Sequence, residues 1–214
     1  MRNAVDEIAE RIRAHIVERR LESGARLPAE RNLAESLGYS RPSIRQGIQR
    51  LHDIGVVETR RGSGTYYTPI DLHCLLEVRL QLEPWAAAEA AAHRTRRQAA
   101  DLQRTAAKTN SLIEDPPRFA ATDTQFHRQV AAASGNPVLA SVLNGLADML
   151  ATSRAHTTTS HDLREQTSHQ LCEIADAIER ADRAASSAGM RRHLEQIRPM
   201  LPVQPMEAPD ARTP

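Results

Sequence analysis

Apolar residues return every three or four positions through most of this chain, a spacing that predicts helices. Val5, Ile8, Ile12, Ile16 and Val17 make one stripe from about residue 4 to 20. "SGARLPAE" breaks that pattern, and Pro28 is placed to open a second helix, where its missing N–H costs nothing. Leu33, Ala34 and Leu37 form the inner face of this helix, and Gly38 closes it. After the short turn "GYS", Ser40 is positioned to cap a third helix, with Pro42 in its first turn. Ile44, Ile48 and Leu51 turn inward until Gly55 stops it. Residues 56–68 alone read as strands: "VVETR" and "TYYT" flank "RGSG" as a β-hairpin. Three helices and a hairpin predict a winged helix-turn-helix over residues 1–68.

Residues 69–72 read as a linker, and helical spacing resumes after it. Segments near 72–95, 97–113, 118–134, 136–155, 160–181 and 182–198 are divided by "EDPP", "SGNP" and a Thr/Ser/His stretch. The fold class is therefore mainly α, a winged helix-turn-helix followed by an antiparallel six-helix bundle over residues 73–200. Prolines in "LPVQPMEAPDARTP" predict a disordered tail over 201–214.

Charge narrows the first segment's role. The 214-residue chain has a formal net charge of +1, so it is no general polycation. Residues 1–68 nevertheless carry 12 arginines against 9 acidic residues, while the remainder is slightly acidic, which favours a local basic surface. No apolar run approaches the roughly 20 residues that span a bilayer, and the mixed-charge start is no signal peptide. A cytoplasmic protein without membrane contact is expected. Cys74 and Cys172 fit no disulfide framework and are expected to be reduced packing residues.

Where that basic surface lies follows from the helical register. With its apolar residues committed inward, the third helix turns Arg41, Ser43, Arg45 and Gln46 outward, where a recognition helix meets base edges. An arginine fork can donate twice to guanine O6 and N7, worth about 1–3 kcal/mol of discrimination. Arg60 and Arg61 at the hairpin tip can reach phosphates or a narrow minor groove. Gly62 and Gly64 let the backbone turn tightly there. In the second half, Asp123 and His127 stand four apart, so they share a helix face and fit either one metal ion or a simple surface hydrogen bond. Arg79 and Glu83 have the same spacing, which suits an ion pair.

The run "RLPAERNLAESLGYSRPSIRQGIQRLHDIGVVETRRGSGTYY" strongly resembles the DNA-binding domain of the GntR transcriptional regulators. The resemblance implies operator contacts at Arg31, Ser40, Arg41, Ser43, Arg45, Arg61 and Gly62. Gln46-Gly47 departs from it, standing where an acidic residue and alanine are usual. A glycine inside a helix costs about 1 kcal/mol.

"LEVRLQLEPWAAAEAA", "DTQFHRQVAAASGNPVLASVL" and "IADAIERADRAASSAGMRRHL" resemble the FCD effector domain of the GntR subfamily named for the fatty-acid regulator. That resemblance implies a divalent metal of the Zn, Ni or Mn type, held by one Asp and three His near a pocket for a small carboxylate. Asp123, His127 and His193 match such ligands. The remaining histidine position falls on Leu171; the nearest imidazole, His169, two residues earlier, is the candidate fourth ligand if the helical register shifts, with His161 and His156 as substitutes from the preceding polar stretch. Arg79 matches an arginine that the family directs toward its pocket, and the ion pair with Glu83 stays open as its other role. Asn136 is expected to cap a helix.

These readings converge on a ligand-responsive transcriptional regulator without enzymatic activity. The expected form is a homodimeric repressor on a short inverted repeat of double-stranded operator DNA, released by a small organic acid. A metal-dependent hydrolase carrying a DNA-binding head, and an architectural winged-helix protein whose bundle only dimerises, are the alternatives.

Overall fold

The computed structural model describes residues 4–68, 71–150 and 160–201, with side chains up to 147 in the second stretch. The chain forms two compact units that divide between Ile70 and Asp71. Among the described residues no helix is long and apolar enough to cross a membrane.

The first unit holds α1 (Ala4–Glu18), α2 (Glu30–Leu37) and α3 (Arg41–Asp53), then β1 (Val57–Arg60) paired antiparallel with β2 (Gly64–Tyr67). Ile8, Ile12 and Ile16 of α1, Leu33 of α2, and Ile44, Ile48 and Leu51 of α3 interlock as its core. Val17 is an exception to the expected stripe, lying 61% exposed in the last turn of α1. The Ser40 hydroxyl caps α3 by accepting from the Ser43 N–H at 3.2 Å. Gly38, at φ 74°, closes α2 in the left-handed conformation that glycine adopts without a Cβ penalty.

Two features differ from the sequence expectation. Pro28 does not open α2, which begins at Glu30 after an uncapped Ala29. Residues 24–27 instead run along β2: Gly24 and Leu27 N–H donate to the Tyr67 and Thr65 carbonyls, and Tyr67 N–H donates to Ala25. This third edge is too short to announce itself by alternation. Gly47 of α3 is buried, and a Cβ built on it would lie 2.7 Å from Ile8 Cγ2 and 2.9 Å from Ile12 Cδ1. The glycine therefore lets α1 approach the recognition helix closely.

The second unit contains α4 (Leu72–His93), α5 (Arg96–Asn110), α6 (Pro116–Ala133), α7 (Pro137–Leu150), α8 (His161–Glu179) and α9 (Arg183–Glu195), with a 3-10 turn at Arg198–Met200. Most of its helices start on a short polar side chain that caps them. Asp71 accepts from His73 and Cys74 N–H, Thr95 and Gln98 form a capping box, and Asn136 accepts from Val138 and Leu139 N–H. Leu72, where the expected linker and the expected first helix overlap, is helical. α4 packs against α6, α7, α8 and α9, while α5 lies on α6 and α8. Leu80, Leu102, Phe126, Leu171, Ile174, Ile178, Met190 and Leu194 fill the common core. Leu201, expected in a disordered tail, is buried in that core; residues 202–214 lie outside the described residues. Cys74 is exposed rather than packed, because it falls on the outer side of α4, and Cys172 is half-buried.

Candidate functional site

The residues expected to contact DNA lie on α2, α3 and the hairpin of the first unit. Arg41, Arg45 and Gln46 are exposed on α3, and Arg61 and Gly62 are exposed in the hairpin turn, where Gly62 has φ 75°. Arg31 lies on α2 with its Nε 3.9 Å from Glu35. Ser43 hydrogen-bonds the capping Ser40 hydroxyl at 2.8 Å, so both serines are engaged in starting α3.

Four partners at this surface escaped the sequence reading. Glu30 holds Arg45 by two bonds, from Nε at 3.0 Å and from Nη2 at 2.8 Å. Hydrogen bonding to Arg45 keeps the Glu30 carboxyl below its ordinary range. Arg60 is clamped between the Glu58 carboxylate at 3.0 Å and the Tyr66 ring, 4.5 Å from its centroid. Arg26 extends across Gly64, where a Cβ would lie 2.6 Å from its Nε. None of these pairings has a diagnostic spacing in sequence.

The second unit gathers a buried polar row in its core. Arg79 and Glu83 of α4 pair at 2.5 Å. Glu83 Oε2 lies 2.6 Å from His127 Nδ1, and His127 Nε2 lies 3.2 Å from His193 Nε2 and 3.5 Å from Asp123 Oδ1. Beyond them, His193 Nδ1 meets Gln170 Oε1 at 3.1 Å, and the Gln170 amide is oriented by its bond to Gln196. Burial alone would raise Glu83, but Arg79 and His127 outweigh it and hold the carboxylate well below its usual range. Burial also disfavours a proton on His127, yet the charges of Glu83 and Asp123 raise it above an ordinary histidine. His193 goes the other way: burial, then the charge on His127, pushes it down to about 3.

The geometry explains this division. The Gln170 oxygen favours a proton on His193 Nδ1, and the negative charge of Glu83 favours one on His127 Nδ1 although the two are not aligned as a hydrogen bond, leaving two Nε2 lone pairs and the Asp123 carboxylate facing one another. Such a cluster needs a cation, either one proton or a metal ion. Donor atoms of Asp123, His127 and His193 all lie within 4.8 Å of one another. Two ligands about 2.1 Å from one tetrahedral ion stand roughly 3.4 Å apart, close to the spacings here. Glu83 and Gln170 then sit where outer partners orient metal-bound imidazoles. These residues fit a divalent metal.

The fourth position does not follow the four-ligand pattern. His169 is not at the site; its exposed side chain faces Glu173 at 3.6 Å. Two residues along a helix turn a side chain by about 200°, and the inward position belongs to the fully buried Leu171. His161 is also excluded, being exposed and paired with Glu114 at 2.9 Å. His156 lies outside the described residues. Arg79 forms the expected ion pair, giving Nε and Nη2 to Glu83. Gln170 is the member that sequence reasoning missed, and Glu83, foreseen as the partner of Arg79, also reaches His127.

Residues 4–66 match the family model described as bacterial regulatory proteins, gntR family, and residues 74–196 match the FCD domain. The chain is 33% identical to the "Putative L-lactate dehydrogenase operon regulatory protein" of Escherichia coli K12, an alignment covering 92% of this chain and 85% of the relative. It is 27% identical to the HTH-type transcriptional repressor NanR of Edwardsiella tarda, over the same 92% and 85%. Of solved structures, E. coli McbR/YncC shares the fold at a TM-score of 0.73 and 20% identity, with 94% of this chain and 98% of that one covered.

Proposed function

Because the chain belongs to the bacterial gntR regulatory proteins and joins their DNA-binding domain to an FCD effector domain, it is a DNA-binding transcriptional regulator, and we propose that it acts as a homodimeric repressor released by a small carboxylate. The observation that carries the effector reading is the convergence of Asp123, His127 and His193 donors, which Glu83 links to Arg79. A divalent metal held by those three residues would keep a position for a carboxylate oxygen, with Nη1 of Arg79 as a second donor to the acid. L-lactate is the first acid to test, since the relative from E. coli is named for an L-lactate dehydrogenase operon. Repression follows the E. tarda relative.

Pairing of two copies is supported by α4. Its inner side is buried, yet Cys74, Val78, Gln81, Trp85, Ala88 and Ala92 recur on its outer side at steps of four and three, the period of a two-helix seam. Val78 and Trp85 are 44% and 47% exposed there. Two copies would then present two recognition helices to an inverted repeat, with Arg31, Ser40, Arg41, Ser43, Arg45, Gln46, Arg60, Arg61 and Gly62 at or near the duplex. Operators selected from random DNA by the full-length protein test this reading. A two-fold symmetric consensus whose binding weakens on adding L-lactate or another small carboxylate is expected. An asymmetric consensus would refute the dimeric operator, and indifference to every small carboxylate would refute the effector.

A further inference from the structure

We propose that Glu30 is a specificity-determining positioning residue, aiming one edge of Arg45 at a guanine and keeping that arginine off the phosphates. The inference rests on the reading of Arg45 as a base contact. A guanidinium presents five N–H groups in a fixed plane, one on Nε and two on each Nη. Glu30 occupies the side formed by Nε and Nη2, through bonds of 3.0 and 2.8 Å. The end formed by Nη1 and the second Nη2 hydrogen still carries two parallel donors, the arrangement that matches guanine O6 and N7.

The buttress is itself anchored. Glu30 is the first residue of α2, where the helix dipole favours a carboxylate, and its side chain is 31% exposed against 65% for Arg45. A long, flexible side chain is thus ordered before DNA arrives, by a neighbouring helix rather than by its own. The carboxylate has a second effect. It places a negative charge beside the guanidinium, so a phosphate approaching Arg45 meets repulsion that a neutral base edge does not. Without Glu30, Arg45 would bind whichever acceptor came within reach.

The test measures equilibrium binding of full-length protein to its selected operator and to versions with each guanine replaced by adenine, one position at a time. Arg45→Ala should abolish discrimination at one guanine per half-site, worth about ten-fold or more. Glu30→Ala should lose most of the discrimination at that same guanine, with affinity for random DNA unchanged or higher. Glu30→Gln, which keeps one acceptor, should recover part of it. A merely structural tie between α2 and α3 would lower binding to all sequences alike, and that result would overturn the proposal. Wild-type discrimination in Glu30→Ala at a guanine that Arg45→Ala abolishes would also overturn it. If Arg45→Ala leaves every base preference intact, the Arg45 reading itself fails, which the same data distinguish.

Discussion

Replacing Gly47 by alanine sets two effects of known size against each other. Alanine is about 1 kcal/mol better than glycine inside a helix, so propensity alone predicts stabilisation. The added methyl would, however, lie 2.7 Å from Ile8 Cγ2 and 2.9 Å from Ile12 Cδ1. Comfortable carbon contacts are about 3.5–4.0 Å, so each overlap is close to 1 Å. Ile12 Cδ1 ends a flexible chain and can swing away. Ile8 Cγ2 hangs directly on a branched Cβ whose rotamer is nearly fixed in a helix, so α1 must move instead. Overpacking of this kind costs about 1–3 kcal/mol, giving a net loss near 1 kcal/mol and a fall of roughly 4–8 °C in the head's midpoint. The two units can be followed separately, because Tyr39, Tyr66 and Tyr67 all lie in the head and the single tryptophan, Trp85, lies in the bundle. Tyrosine emission during urea unfolding should shift to lower denaturant while the Trp85 transition stays in place. Adding Ile8→Leu, which removes the Cγ2 branch, should recover much of the loss. A head stabilised by about 1 kcal/mol in Gly47→Ala alone would refute the steric account.

In Glu83→Gln, Arg79 and His127 remain buried without their shared counter-charge. The bundle should lose about 3–5 kcal/mol, read from the Trp85 unfolding transition. Stability in the presence of chelator should peak near neutral pH. His193 stays neutral in the fold down to about 3, so below its ordinary 6.5 the unfolded chain takes up a proton that the folded one refuses, and stability falls. Glu83, held low, adds to the loss below its ordinary 4.5, whereas the raised His127 contributes at low pH and loses that contribution as pH rises through its folded value. A Trp85 midpoint that is flat between pH 7 and 5 would contradict the His193 assignment. Elemental analysis of tag-free protein should find about one divalent metal per chain, lost in Asp123→Ala. Leu171→His should tighten metal retention while weakening the metal-free fold, because it places an imidazole in the apolar core.

The readable parts of the sequence were those governed by local spacing. Ser40, Asn136 and Gly38 act within one turn of themselves, so their caps follow from short strings. Asp123 and His127 share a face for the same reason. What closes through space stayed hidden. Glu30 meets Arg45 from a different helix, Gln170 meets His193 from a different helix, and Glu83 joins Arg79 to His127 across the bundle. Gly47 was visible as an oddity in α3, but its cause is two isoleucines of α1. Pro28 shows a local rule overridden: the chain before α2 is committed to β2, which delays the helix to Glu30.

Leu201 bears on how this protein can be recombined with its relatives. The FCD match ends at residue 196, which invites a chimera joined there, yet the bundle's packing continues to a leucine five positions later. A junction at 196 would delete a buried side chain and open a cavity at a cost of about 2–5 kcal/mol. For head exchange, the division between Ile70 and Asp71 has a natural seam, because Asp71 is the cap on which α4 starts and must travel with the bundle. A transplantable sensor therefore runs from Asp71 to at least Leu201, and swapping that cassette under another family member's head would move its effector response to a new operator.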